Sequence, residues 1–332
     1  RSHFGSSGSD ARVMNLNRRR LTLSQCDPVG SGPSGSSSHG RSEEQIAQEV
    51  KEAGLEKVFV AAKAGGKRAV SVTSVTDDNL AKRPSFADKD EEVLHPAKAA
   101  ESDVRDWLKE RGVEWSCRKG KKPESPNQDS FSVLVVEDQF ALYGVFDGHG
   151  PAGHDVSNLA RKVLLETFIS HPQRSENPGK AFHDSFVTTQ TYLTKPGVDA
   201  SASGSTCTLV YHQFELKTLT VAHVGDSRGV IIKKKGGSKE EVQVEALTID
   251  HKPNLKEERE RIESANPPGR VVFDGFYNHR VFAQNGMYPG LNMSRALGDI
   301  TAHDEAGLTA VPDVKTINLA AEETNGFTDI QL

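Results

Sequence analysis

Leu142-Tyr-Gly-Val-Phe-Asp-Gly-His-Gly150 is a short apolar run that ends abruptly in an acidic, glycine-rich turn. Its first five residues read as a strand, and Asp147 with Gly148 and Gly150 reads as the turn that stops it. Just upstream, Phe131–Val136 is a second apolar run, separated from Phe140–Phe146 by Glu137-Asp138-Gln139, a loop of hairpin length. Short loops of this kind force antiparallel pairing, because parallel strands need long crossovers.

The pattern repeats downstream. Cys207–His212, Thr218–Val224, Gly229–Lys233 and Val242–Leu247 alternate as strands. Val156, Leu159, Ala160, Val163 and Leu164 mark the buried stripe of a helix, and Ala181–Leu193 is a second helix carrying Phe182, Phe186, Val187 and Tyr192. Leu255–Ser264 is a charged helix, ended by Asn266-Pro267-Pro268-Gly269. Upstream, Val104, Trp107 and Leu108 suggest one or two helical turns. Strands and helices segregate into blocks, so the expected class is α+β, with antiparallel sheet covered by helices.

The N-terminal part reads differently. Between Gly30 and Ser42 nearly every residue is Ser or Gly, a composition too polar to drive burial. Ile46, Val50, Leu55 and Val58 recur at helical spacing behind Ser42, Glu43 and Glu44, which predicts one short helix over residues 43–62. From Gly65 to Pro96, Ser, Thr and charged residues dominate, and a linker is expected. The expected organisation is a mostly disordered region over residues 1–98, followed by a folded domain over residues 99–332.

Composition narrows the function. With 332 residues, net charge −5 and mixed signs, the chain carries no basic footprint, so nucleic acid is not an expected partner. No apolar run approaches a membrane span. Three cysteines, at 26, 117 and 207, are far apart and form no CxxC pair, which fits a reducing compartment rather than a disulfide framework. The expected location is therefore intracellular, cytoplasmic or nuclear, for a monomer.

Several motif matches fail in context. Gly30-Ser-Gly32-Pro-Ser-Gly35 satisfies GxGxxG but has no strand before it and no helix after it. Gly65-Gly66-Lys67 lacks the first P-loop glycine, since position 61 is Ala, and His154-Asp155 lacks companion metal ligands and reads as a helix-start pair. Four aspartates remain at strand or turn ends next to glycine or a polar turn: Asp129, Asp147, Asp226 and Asp299. Each alone is an ordinary turn residue. Jointly, carboxylates held at strand ends make a site for hard divalent ions, which prefer oxygen ligands.

In chain order, Asn127-Gln-Asp129-Ser, Val145-Phe-Asp-Gly-His-Gly150, Ser203-Gly-Ser-Thr206, Val224-Gly-Asp-Ser-Arg228, Asp250-His-Lys-Pro253, Tyr288-Pro-Gly-Leu and Met293-Ser-Arg-Ala-Leu-Gly-Asp299 resemble the metal-dependent serine/threonine phosphatases of the protein phosphatase 2C (PPM) family. The resemblance covers roughly residues 110–315. It implies an α/β sandwich, two antiparallel sheets packed face to face with helix pairs outside, and a site for two Mg²⁺ or Mn²⁺ ions with room for a third. It further implies hydrolysis of phosphoserine and phosphothreonine in proteins by direct attack of a metal-bridging water.

By the same resemblance, Asp147 bridges both metals, the Gly148 carbonyl completes one coordination sphere and Asp129 holds metal-bound waters. Asp226 corresponds to the carboxylate of a third metal, and His149 is placed to donate a proton to the leaving oxygen. Arg118, in Cys117-Arg-Lys-Gly120, is the expected phosphate grip, with Lys119, Lys121 or Lys122 as alternatives. Asp299 and Arg295 read as supports of the turn and sheet.

Two departures stand out. Gln128 occupies the position of a metal-binding glutamate in many members, offering an amide oxygen without charge. After Pro312-Asp313-Val314, the Asp-Gly turn and Asp-Asn strand of the family do not follow, and Asp329 precedes Ile330 rather than Gly. The expectation is a domain lacking the C-terminal part of the family fold, short of two carboxylates at one metal. Three readings stay open: a protein phosphatase, a catalytically impaired phosphatase-like domain that binds its partner, and a hydrolase of small phosphoesters.

Overall fold

In the computed structural model, the described residues are 54–75, 90–94, 101–121, 126–235 and 241–332. The central feature is a seven-stranded sheet, antiparallel throughout. Its strands are β1 (Ala69–Val75), β2 (Asp90–Leu94), β3 (Ser130–Val136), β4 (Phe140–Phe146), β7 (Cys207–Gln213), β8 (Thr218–Val224) and β15 (Asp313–Asn318), in the order β15-β8-β7-β4-β3-β1-β2. The β3–β4 hairpin closes at Asp138, whose φ of 59° shows the left-handed turn that Asp tolerates.

Both faces of this sheet are covered, which is why its inner strands are apolar on both sides. On one face lie α1 (Leu55–Ala64), α3 (Gly153–Ser170) and α4 (Pro178–Leu193). There Leu134, Leu142, Phe146, Leu209 and Tyr211 of the sheet meet Leu164, Phe168, Phe182 and Phe186 of the helices. Phe168 and Phe182 stack with ring centroids 4.1 Å apart.

On the other face, α2 (Glu101–Lys109) packs Val104, Trp107 and Leu108 against Val70, Val72, Val133 and Val135. Beside it sits a three-stranded sheet of β9 (Val230–Lys235), β10 (Glu241–Ala246) and β16 (Phe327–Gln331), in the order β10-β9-β16. Its Ile231 and Ile330 pack with Val210, Leu219 and Val221 of the large sheet. Two antiparallel sheets in contact, with helices outside, agree with the expected sandwich and α+β class.

The N-terminal expectation needs correction. The stretch expected to be linker, from Gly65 to Pro96, contains β1 and β2, and β1 lies between β2 and β3. Its sequence AVSVTSV conceals this, because the serines and threonine suggest a solvated loop. In the sheet Ser71, Thr73 and Ser74 are buried, and Ser74 Oγ accepts a hydrogen bond from the Phe131 amide at 3.0 Å. Ala62 and Ala69 belong to the core formed by α3 and α4, so packed structure begins well before residue 99. The helix expected over 43–62 is observed as Leu55–Ala64; the rest of that expectation, and residues 1–53, lie outside the described residues.

The remaining elements are smaller. α5 (Lys256–Glu263) precedes a sheet of β11 (Gly269–Phe273), β12 (His279–Ala283) and β13 (Pro289–Leu291), which sequence reading did not identify. After β15 at the edge of the large sheet, α7 (Leu319–Thr324) leads into β16 of the second layer. Most consequential is a sheet of three two-residue strands, β5 (Gly148–His149), β6 (Gly204–Ser205) and β14 (Leu297–Gly298), in the order β14-β6-β5. It fastens together three turns that are distant in sequence, and α6 (Ile300–Glu305) follows directly.

Candidate active site

Asp147 sits where β4 leaves the core, one residue after the buried Phe146. Its amide donates to Thr206 Oγ1 at 3.0 Å, and the Thr206 amide donates to the Asp147 carbonyl at 3.0 Å. Thr206 Oγ1 lies 2.6 Å from Ser227 Oγ, so the Asp147 turn is tied to the turn that carries Asp226. Gly148 donates its amide to the Gln128 carbonyl at 3.2 Å, and any Cβ there would collide with the carbonyls of Gln128 and Gly153. Glycine is required at that point by close backbone approach.

Asp129, from the segment just before β3, lines one pocket with Asp147. Asp147 stays open to solvent on one side. Its carboxyl is nevertheless pushed above the ordinary range, first by partial loss of water and then by the negative charge of Asp226; His149 and Asp129 act in the opposite direction. Carboxylates that converge in this way repel one another, a cation would neutralise them, and oxygen donors of this kind suit Mg²⁺ or Mn²⁺. The residues thus fit the expected ions.

Arg118 belongs to the same place. Together with Ser116, Cys117, Asp129, Asp147 and Ser227 it lines a pocket of about 250 Å³. The alternatives do not: Lys119 is buried, neither Lys119 nor Lys121 lines this pocket, and Lys122 lies outside the described residues. Gln128 turns its amide nitrogen to the Gly150 carbonyl at 2.7 Å. That orientation leaves Oε1 as its available ligand atom.

Asp226 forms an ion pair with Lys252, a partner the sequence reading did not single out. Its turn is braced from behind: the Gly225 amide donates to His251 Nδ1 at 3.1 Å, and the His251 amide donates to the Gly225 carbonyl at 2.9 Å. His149 Nε2 lies 2.6 Å from Asp299 Oδ2. Arg295 bonds Glu258 through Nε at 3.0 Å and Asp313 through a terminal nitrogen at 2.7 Å, the supporting role expected of it. His154 and Asp155 lie 3.5 Å apart at the start of α3, as a helix-start pair should. Asp329 of β16 pairs with Lys234 of β9 and does not line the Asp147 pocket.

One further group has the composition of a metal site: His223, His251 and Asp313 present ligand atoms within 4.8 Å of one another. Hydrogen bonding argues for another role. The Gly225 amide points at His251 Nδ1, which must then carry the lone pair, so the neutral ring has its proton on Nε2, the atom 3.2 Å from Asp313. His223 Nε2 is committed to the Ile249 carbonyl at 2.9 Å, and the two rings stack in parallel, 4.4 Å apart. The two buried imidazoles brace the back of the Asp226 turn, with Asp313 at the exposed end of the group.

The sequence profile of the family described as protein phosphatase 2C matches residues 121–327. The chain belongs to the protein phosphatase 2C family. Among curated relatives, probable protein phosphatase 2C 35 of Arabidopsis thaliana is 31% identical over 227 residues, covering 61% of this chain and 64% of the relative. Probable protein phosphatase 2C 34 of the same plant is 33% identical over 242 residues, covering 64% and 65%. Probable protein phosphatase 2C 64 of Oryza sativa subsp. japonica is 34% identical over 199 residues, covering 56% and 45%. The chain thus spans less than two thirds of the length of these protein phosphatase 2C relatives. A solved serine-threonine phosphatase 2C from Toxoplasma gondii aligns over 57% of this chain and 69% of its own, at 21% identity and a TM-score of 0.46. Asp129, Asp147, Gly148, His149 and Asp226 fall inside the matched family region, whereas Arg118 lies just before it.

Proposed function

We propose that this protein phosphatase 2C member hydrolyses phosphoserine and phosphothreonine in proteins, with two Mg²⁺ or Mn²⁺ ions and a third at Asp226. The observation that carries this reading is the shared pocket of Arg118, Asp129 and Asp147, a cation and two carboxylates converging from separate segments. The ions, when bound, supply positive charge for the phosphoryl oxygens and lower the pKa of water. Asp147, Asp129, the Gly148 carbonyl and Gln128 Oε1 are the groups that would hold them and their waters. Arg118 grips the phosphoryl oxygens and orients phosphorus, and its planar fork suits two oxygens at once. His149 supplies the proton that the departing serine or threonine oxygen needs.

Among the described residues no helix is long and apolar enough to cross a membrane. A monomeric protein in the cytoplasm or nucleus completes the reading.

A second reading has its own observation. Lys252 already neutralises Asp226, and Gln128 brings no charge, so a binding domain without turnover is the alternative. One experiment separates the two: release of phosphate from a phosphothreonine peptide with Mn²⁺, beside Asp147→Asn and an EDTA control. Turnover that needs metal and is lost in the variant supports the phosphatase. Binding of the peptide by a folded chain without turnover supports the alternative.

A further inference from the structure

His149 and Asp299 are 150 residues apart, yet three turns converge to hold them together. β5 carries His149 and pairs with β6 in the register His149↔Gly204; β14 pairs with the other side of β6 in the register Gly298↔Gly204. Asp299 follows Gly298, and both adopt left-handed backbone, at φ 46° and 81°. For Asp299 that conformation is costly and persists only where the surroundings over-determine it.

They do so from several sides. The Asp299 amide donates to the Ser203 carbonyl at 2.7 Å. Gln190 of α4 grips Gly298 at both ends, donating to its carbonyl at 2.9 Å and accepting from its amide at 2.8 Å. Gly204 leaves the space that the pair occupies: a Cβ there would collide with the Asp299 carboxylate and stand 2.7 Å from His149 Nε2. Asp299 is 2% exposed, so its carboxylate is withheld from water and directed at the imidazole.

We infer that Asp299 is a positioning residue for His149, fixing the ring proton on Nε2 and leaving Nδ1 as the nitrogen that serves the leaving oxygen. An ionised carboxylate only accepts, so the 2.6 Å contact requires Nε2–H. His149 Nδ1 is itself buried and has no hydrogen-bond partner among the described residues.

The inference rests on the phosphatase reading. Water oxygen forms a bond to phosphorus while the bond from phosphorus to the serine or threonine oxygen breaks. That bond's electron pair goes to the leaving oxygen, which takes a proton from Nδ1 of the imidazolium. The proton released by the attacking water restores the ring.

The test uses leaving groups that differ in their need for a proton. A threonine alkoxide needs one, and p-nitrophenolate does not. Wild type, Asp299→Asn, Gly204→Ala, His149→Ala and the Asp299→Asn/His149→Ala double variant are assayed with Mn²⁺ on a phosphothreonine peptide and on p-nitrophenyl phosphate. Folding of each is followed by circular dichroism. Asp299→Asn is expected to lower kcat on the peptide roughly tenfold to a hundredfold. That loss should exceed the loss on p-nitrophenyl phosphate at least about tenfold, and Asp299→Asn should add nothing in the His149→Ala background. Equal losses on both substrates, or additive losses in the double variant, overturn the inference.

Proton and ¹⁵N NMR of the metal-free chain provide an arm that needs no turnover. A downfield, slowly exchanging proton on His149 Nε2, lost or shifted upfield in Asp299→Asn or Gly204→Ala, supports the pairing; its absence in wild type overturns it. A chain that shows this proton but hydrolyses neither substrate defeats the phosphatase reading and leaves the pairing standing.

Discussion

Asp147 and Thr206 hold each other through two hydrogen bonds of 3.0 Å, one from the Asp147 amide to the threonine hydroxyl and one from the threonine amide to the Asp147 carbonyl. The candidate bridging carboxylate is therefore aimed by a residue 59 positions away, and the buried Thr206 has no contact with bulk water to compete for these bonds. Thr206→Val keeps the shape but leaves the Asp147 amide without its acceptor. The expected cost is about 1–3 kcal/mol of stability, with weaker Mn²⁺ binding, and Thr206→Ser should restore most of both. Urea unfolding beside Mn²⁺ titration checks this; unchanged metal affinity in a destabilised Thr206→Val would show the threonine to be structural only.

Asp147→Asn separates function from folding. The Asp147 carboxyl is raised by partial desolvation and by Asp226, so the folded state holds its proton more tightly than the unfolded state does. Without metal, that residue loses stability as pH rises from the ordinary carboxylate range through its raised folded value. Asparagine cannot ionise, so the variant should be as stable as wild type, or slightly more so, at pH 7 in EDTA. Peptide turnover and Mn²⁺ binding should both collapse. Thermal melts in EDTA and in Mn²⁺ measure the two effects separately.

Lys252 acts at Asp226 as a built-in cation, competing with any ion there. Lys252→Met should leave Asp226 unneutralised, lowering stability in EDTA and tightening Mn²⁺ binding about tenfold, as removal of a nearby positive charge requires. Isothermal titration decides. Weaker binding in a folded variant would mean that Lys252 holds Asp226 in its binding position rather than opposing the ion.

Glu166 links the N-terminal helix to the core. Its side chain is 5% exposed, and its carboxylate accepts the Leu55 amide at 3.2 Å at the start of α1. Burial pushes its pKa up to about 7, against the hydrogen bonds from Leu55 and Gly54 and the charge of Lys162. A raised folded value means that this group's contribution is fully present below the unfolded pKa and falls as pH rises toward 7. Stability should therefore decline between about pH 5 and pH 8 by roughly 1–3 kcal/mol on this account, and Glu166→Gln should flatten the decline. Chemical denaturation at the two pH values provides the comparison.

How much could be read in advance varies by element. The β3–β4 hairpin, α3, α4 and the four strands between Cys207 and Leu247 were legible because each has strong local periodicity. β1 was not, since its Ser71, Thr73 and Ser74 look like linker and become strand only when β2 and β3 bond to both edges. Asp129, Asp147, Gly148 and Asp226 stood out through local signals, carboxylates beside glycines at strand ends. Lys252, Thr206 and Gln190 carried no such signal, for their roles depend on partners 26, 59 and 108 residues away.

The linear order of residues thus determined the antiparallel class, the family and the chemical character of the site, because alternation, turn chemistry and motif order are local properties. Tertiary structure alone decided which groups meet: Asp129 against Asp147, Lys252 on Asp226, Asp299 on His149. Such pairings depend on sheet register and on space left by two glycines: at Gly148 a Cβ would strike two backbone carbonyls, and at Gly204 it would strike the Asp299 and His149 side chains. Contacts of that kind are set by packing between distant segments, and no local pattern encodes them.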